Sequence, residues 1–353
     1  MQRQRYDGLD VVRALAMLLG IAYHAGYAYV PDIGPWYVVQ DVSTAPAFDV
    51  LVKVLHAFRM QLFFVLSGFF AHLVAEHPQR DFLPDRFRRL MVPFLVAAPL
   101  AVACDLALRS WSQARGLLQV TAGWQARPVH LWFLEYLFLF CLLAAAALKL
   151  PWRSAPALAA RALQVPEALL GLALLTGAAQ RWLPEAKPSE SFVPQLASVA
   201  LYLPFFALGW LLWSARERLP RLRRVAWLVL PGLGLAAWLF SRPLQWAPEG
   251  AWLAALASWL LVLGGLGLAV WVPQSVRGPV LRNTVEASYW VYLVHYPLVV
   301  AGHLALATLG WPAWVKYALV VSGVTALGFA TWAVVRRTPL RPWLGARASP
   351  DAS

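Results

Sequence analysis

Ten long apolar runs, separated by short loops that hold most of the charge, restrict this chain to one kind of fold. The runs lie at roughly 9–30, 54–75, 91–108, 130–148, 163–180, 196–214, 225–240, 251–272, 286–309 and 313–335, each about 17–22 residues. That length carries an α-helix across the ~30 Å hydrocarbon core of a bilayer, where a helix satisfies its backbone polar groups without water. The expected fold is an all-α integral membrane protein of about ten transmembrane helices, one domain over residues 1–353. The fifth and seventh runs carry the weakest signal, being short and interrupted by Pro166 or by glycines.

Composition agrees: the chain is 60% hydrophobic and 13% charged, with a mean hydropathy of +0.59. Trp and Tyr concentrate near the ends of the runs, as interfacial anchors do. The first run follows a basic start but closes on no small-residue cleavage pattern, so it is expected to stay as a helix. The net charge of +13 sits in short clusters between runs, which points to topology rather than to nucleic acid. Cys104 and Cys141 both lie inside apolar runs and read as core residues, with no disulfide framework and no metal site.

Ten spans put both termini on one side, and the loop charges test the count. The N-terminal side collects twenty Lys and Arg, among them Arg86, Arg88, Arg89, Arg216, Arg223 and Arg336, against seven, including Lys53, Arg109 and Arg127, opposite. By the positive-inside rule both termini are expected in the cytoplasm.

Polar residues within the runs are expensive and mark function. Asp10 and Arg13 are three apart on the first helix, a spacing that lets them pair, either as a self-neutralising ion pair or as a site. His24 follows Arg13 by eleven residues, about three turns and roughly 16 Å along the same face. On the second helix His56 and Arg59 fall at the depth of His24, and Ser67 lies eleven residues past His56 on its face. Burying Arg59 in lipid would cost roughly 2.5–3.5 kcal/mol, so it is expected to face a polar cavity or a partner. His130 and Glu135 open the fourth helix on different faces, so one of them at most lines a cavity well. His295 precedes Pro297, which frees a backbone carbonyl in the ninth helix. His303 and Lys316 are expected near the headgroups, and His72, Glu76 and His77 in solvent. Arg86, Arg88 and Arg89 before the third run suit either topology or an anion such as phosphate.

Arg13-x10-His24, FFVLSGFF at 63–70 and Arg86-x-x-Arg89 together resemble the acyltransferase 3 superfamily of integral membrane acyltransferases. HAFRMQLFFVLSGFFA (56–71), HLWFL (130–134), LYLPFFALGWL (201–211) and EASYWVYLVHYPL (286–298) are similar to its glucans biosynthesis protein C group, which succinylates periplasmic osmoregulated glucans. The resemblance implies that His24 is catalytic with Arg13 as its companion, and that Arg86 and Arg89 serve acyl-CoA. It also implies that Ser67 belongs to the SGF-type segment and that His56, Arg59 and His295 are positions of the glucan-modifying group.

The expected reaction joins cytoplasmic acyl-CoA, succinyl-CoA above all, to a periplasmic glucan hydroxyl across the inner membrane of a bacterium. Arg86, Arg88 and Arg89 would take the nucleotide phosphates, His56, Ser67, Glu135 and His295 the substrates, and Arg59 an oxyanion or the free succinyl carboxylate. His24 acts as general base or is itself acylated first; Asp10 supports Arg13; neither route calls for a metal or a resident cofactor. Acetyl transfer to another surface polysaccharide, or polar-solute transport, are the competing readings. Partnership with glucan-synthesising machinery is a further expectation.

Overall fold

The computed structural model describes residues 6–34, 37–77, 81–117, 126–149, 166–183, 191–272 and 279–339. Each of the ten expected spans falls on a helix. They are α1 (Asp7–Gly26), α2 (Pro46–Ala75), α3 (Phe82–Ala114), α4 (Trp132–Ala147), α5 (Pro166–Trp182), α6 (Leu196–Ser214), α7 (Val229–Phe240), α8 (Pro248–Trp271), α9 (Pro279–Leu306) and α10 (Ala313–Val335). Eight of these segments, α7 counted with the turns before it, are long and apolar enough to cross a membrane; α4 and α5, at 16 and 17 residues, are shorter. Residues 163–165 of the expected fifth span lie outside the described residues.

The boundaries depart from the apolar runs where polar residues are helical. Helix α2 begins at Pro46, a residue suited to the first helical position, and an Asp49–Lys53 pair at 2.6 Å supports its first turns. Helix α3 starts before its apolar run, with a π turn at Phe87–Met91. The arginine-rich stretch Arg216–Leu228 winds as a 3₁₀ helix containing Pro220 before α7 becomes α-helical.

Helix α2 packs against α6 with almost no side chain between them. A Cβ on Gly68 would lie 2.1 Å from the Phe206 carbonyl oxygen, and one on Gly209 1.8 Å from that of Val65. The SGF segment therefore contains a helix crossing as well as the polar Ser67. Helices α1, α2 and α9 meet at the centre, α8 packs beside α1 and α2, and α10 flanks α9. Outward faces are apolar, as with Leu95, Leu100 and Leu106 on α3 and Leu319 and Leu327 on α10. Cys104 belongs to that exposed face, so only Cys141 fits the expectation of a buried thiol.

At the end of the bundle away from Arg86 and Arg89, the segment after α1 turns back over the helices. Tyr37, Val38, Val39 and Asp41 are buried, and the Ser112 hydroxyl donates to the Val38 carbonyl at 2.9 Å. Two residues expected at the headgroups hold this strap from inside. Lys316 is fully buried, bonded to the Asp41 carboxylate and to the Leu309 carbonyl at 2.7 Å. His303 donates from Nε2 to the Ala25 carbonyl at 3.0 Å and accepts from the Tyr37 hydroxyl through Nδ1 at 2.9 Å. Arg109 departs from its expected loop in the same way: it is buried on α3, its Nε bonded to Asp105 at 2.7 Å. At the opposite end His72 is buried rather than solvated. It stacks on Trp210, whose carbonyl accepts from Nδ1 at 2.7 Å, while Glu76 accepts from the Trp213 indole at 2.6 Å.

Removing one partner of a dry ion pair leaves the other charge uncompensated. Lys316→Ala should lower stability in detergent by about 3–5 kcal/mol, read by thermal unfolding, and Lys316→Met with Asp41→Leu should recover most of it.

Candidate active site

Two polar regions lie along one side of α1. The first is a cavity of about 300 Å³ at the arginine-rich end, lined by Asp10 and Arg13 of α1, Ser67 of α2, Arg86 and Arg89 of α3, and Arg282, Glu286 and Tyr289 of α9. Asp10 holds Arg13 at 2.8 Å, and the Arg13 guanidinium lies over the Phe70 ring at 4.6 Å. Asp85 joins the two loop arginines: one carboxylate oxygen bonds Arg86 and the other accepts from Arg89 Nε at 3.1 Å. Arg88 is exposed and is not among the lining residues.

Proline chemistry fixes part of this wall. Pro93 has no N–H to offer the preceding turn, and the Arg89 carbonyl four residues back accepts instead from the Tyr289 hydroxyl at 2.9 Å. That bond ties α3 to α9 across the cavity. Met17, Phe63 and Phe133 also line the cavity, the two phenyl rings packed edge to face at 4.5 Å.

The second region is a layer of aromatic and imidazole rings around His24, about two turns past Met17 on α1. His24 lies 5.2 Å from His295, 5.2 Å from Tyr296 and 6.4 Å from His130, between ring centres. His130 and His295 are 4.9 Å apart. Arg59 is buried beside them, its guanidinium 4.7 Å above the Tyr23 ring, and its Nε has no hydrogen-bond partner. Among the described residues no carboxylate pairs with Arg59. Gly20 makes the room: a Cβ there would lie 2.8 Å from an Arg59 terminal nitrogen and 3.5 Å from His295 Nε2.

The structure therefore divides the expected site residues. Asp10, Arg13, Ser67, Arg86 and Arg89 share the cavity, while His24, Arg59 and His295 share the layer. His56 sits at the layer's edge, exposed and stacked on Tyr23 at 5.5 Å. Glu135 stands apart from both, half-buried, with Oε2 lacking a hydrogen-bond partner; of the two α4 candidates, His130 is the one that joins the layer. Sequence reasoning passed over Asp85, Arg282, Glu286 and Tyr289. The Asp85/Arg89 and Arg282/Glu286 pairs at i, i+4 were the available signals.

His130 follows a strained residue. Val129 has φ of 50°, a left-handed conformation that costs a β-branched side chain on the order of 1–3 kcal/mol. Such strain persists where surrounding contacts over-determine it. Here the Tyr292 hydroxyl donates to the His130 carbonyl at 2.7 Å and the ring stacks on Tyr296.

Comparison with known proteins adds an independent finding. The acyltransferase domain of the acyltransferase 3 type matches residues 6–333. Proteins named glucans biosynthesis protein C from Salmonella schwarzengrund (strain CVM19633), Salmonella typhi and Salmonella typhimurium are each 27% identical over 322 residues. The match covers 83% of this chain and 82% of theirs. No solved structure matches.

A methyl group at position 20 would intrude on Arg59. Gly20→Ala should cost about 1–3 kcal/mol of thermal stability. The same change made with Arg59→Met should cost clearly less than the sum of the two, which a double-mutant cycle on unfolding will show.

Proposed function

The chain belongs to the acyltransferase 3 family, and on that premise we propose that this membrane acyltransferase moves a succinyl group from cytoplasmic succinyl-CoA to hydroxyls of periplasmic glucans. The observation that carries the reading is the arginine-rich cavity, whose lining follows α1 from Asp7 to Met17, in the direction of the buried histidine layer at His24. A donor held in one compartment and an acceptor in the other need such a route.

Nucleotide phosphates would rest on Arg86 and Arg89, presented together by Asp85, with Arg282 across the cavity. Exposed Arg88 contributes to the field at the entrance rather than to the wall. The pantetheine arm would pass Asp10, Arg13 and Ser67 and bring its thioester past Met17, Phe63 and Phe133. His24, with Nδ1 buried and free of hydrogen bonds, takes the proton of the attacking sugar hydroxyl. The oxygen bonds to the thioester carbon, the thiolate departs, and the proton returns to it from His24. Arg59 is placed to stabilise the oxyanion or the free carboxylate of the succinyl group. The names of the relatives support glucan as the acceptor, and the excess of loop arginines supports a cytoplasmic position for the cavity end in the inner membrane of a bacterium. Contact with glucan-synthesising machinery follows from the need for a fresh acceptor.

His24→Ala should abolish glucan succinylation, measured by mass spectrometry of periplasmic glucans, while the protein still inserts and binds succinyl-CoA. Normal succinylation in that variant would overturn the assignment. Arg86→Ala with Arg89→Ala should raise the Kd for succinyl-CoA roughly ten- to hundredfold, the loss expected for charge-assisted bonds. Unchanged affinity would leave the pair to membrane topology.

A further inference from the structure

Two imidazoles beside His24 are locked into orientations that the reaction at His24 does not itself require. His130 donates from Nε2 to the Leu293 carbonyl at 3.2 Å. That carbonyl is available because Pro297, four residues on, supplies no N–H to it. His295 donates from Nδ1 to the Tyr292 carbonyl at 2.7 Å. A carbonyl only accepts, so each neutral ring is left with a lone pair on its other nitrogen. Those nitrogens, His130 Nδ1 and His295 Nε2, are buried and have no hydrogen-bond partner, as is His24 Nδ1. The three rings lie 4.9–6.4 Å apart, and the Tyr292 hydroxyl on its carbonyl and the Tyr296 ring hold His130 among them.

Dry lone pairs without donors are costly, and most buried polar atoms in proteins are satisfied. What would satisfy these is a ligand rich in O–H donors. A thioester or a carboxylate offers acceptors and cannot do so; a simple alcohol offers a single donor, which His24 takes. Neighbouring hydroxyls on one sugar ring supply one donor for His24 and another for the adjacent imidazole, while Arg59 donates to their oxygens. We propose that His130, together with His295, binds a second hydroxyl of the acceptor, so that the site selects a vicinal diol of a carbohydrate rather than an isolated hydroxyl. This rests on acyl transfer at His24 and adds to it a rule for which acceptors react.

The test pairs a residue deletion with a substrate deletion. The acceptors are a glucose oligosaccharide and its monodeoxy derivatives, each lacking one hydroxyl beside the acylated position, with succinyl-CoA as donor. The wild-type protein should lose roughly tenfold or more in kcat/KM on the critical deoxy derivative. His130→Phe should lose a similar factor on the intact oligosaccharide and nothing further on that derivative, with succinyl-CoA affinity unchanged. His130→Gln, which can still donate to Leu293 and accept from a hydroxyl, should restore discrimination. Pro297→Ala gives the Leu293 carbonyl a helical partner and should erode discrimination without touching the ring; it also decides the matter if His130→Phe does not insert. Equal further loss on the deoxy derivative in His130→Phe, or full discrimination in Pro297→Ala, overturns the proposal. A wild-type protein that succinylates neither acceptor overturns the acyl-transfer reading instead.

Discussion

Holding the Arg59 guanidinium inside the bundle removes it from water with no carboxylate partner among the described residues, and the surrounding helices are arranged to tolerate that. The face of Tyr23 supplies part of the compensation through its ring electrons. Bare backbone at Gly20 lets α1 approach the guanidinium, and His295 borders the same space from α9. Neutralising Arg59 with an acidic side chain would relieve the cost and also cancel the positive potential it places beside His295. Among the described residues the cation has no carboxylate partner, and its neighbours are the rings of Tyr23 and His295.

The same logic separates the two regions along α1. At the arginine-rich end, charge is plentiful and locally balanced by Asp10 and Asp85, so it can bind an anion without a large desolvation cost. Past Met17, Phe63 and Phe133 that balance is missing among the described residues: Arg59 is buried with His130 and His295 and has no carboxylate partner. Prolines bridge both regions. Pro93 exposes the Arg89 carbonyl to Tyr289, and Pro297 exposes that of Leu293 to His130. In each case a missing helical bond becomes a contact with another segment, α3 with α9 in the first and α9 with the turn before α4 in the second, which is how a membrane bundle tolerates proline.

Much of the fold was legible because lipid imposes one solution on an apolar run, and all ten runs became helices. Boundaries were harder to read where polar residues are helical, as at Pro46–Lys53 and Phe82–Met91. Depth along a helix was also readable: it put His56 and Arg59 level with His24, and Arg59 does share the layer with His24, which His295 joins from α9. What spacing could not convey was contact between distant segments. Asp41 meets Lys316 across 275 residues and His303 meets Tyr37 across 266, so both histidine and lysine looked like surface groups. His72 failed similarly, because its partners Trp210 and Trp213 lie on α6. Arg109 was read as a loop charge because its apolar run ends just before it, although Asp105 lies four residues back.

Gly20 shows that the inventory of a site can be incomplete even when every polar side chain in it is known. It donates nothing, carries no charge and titrates with nothing, yet a methyl group at that point would meet the end of the Arg59 guanidinium and oblige it to shift. Pro93 and Pro297 contribute in the same negative sense, through a bond they do not make. The chemistry of this interior is thus set partly by subtraction: by a side chain that is missing and two amide hydrogens that are not there.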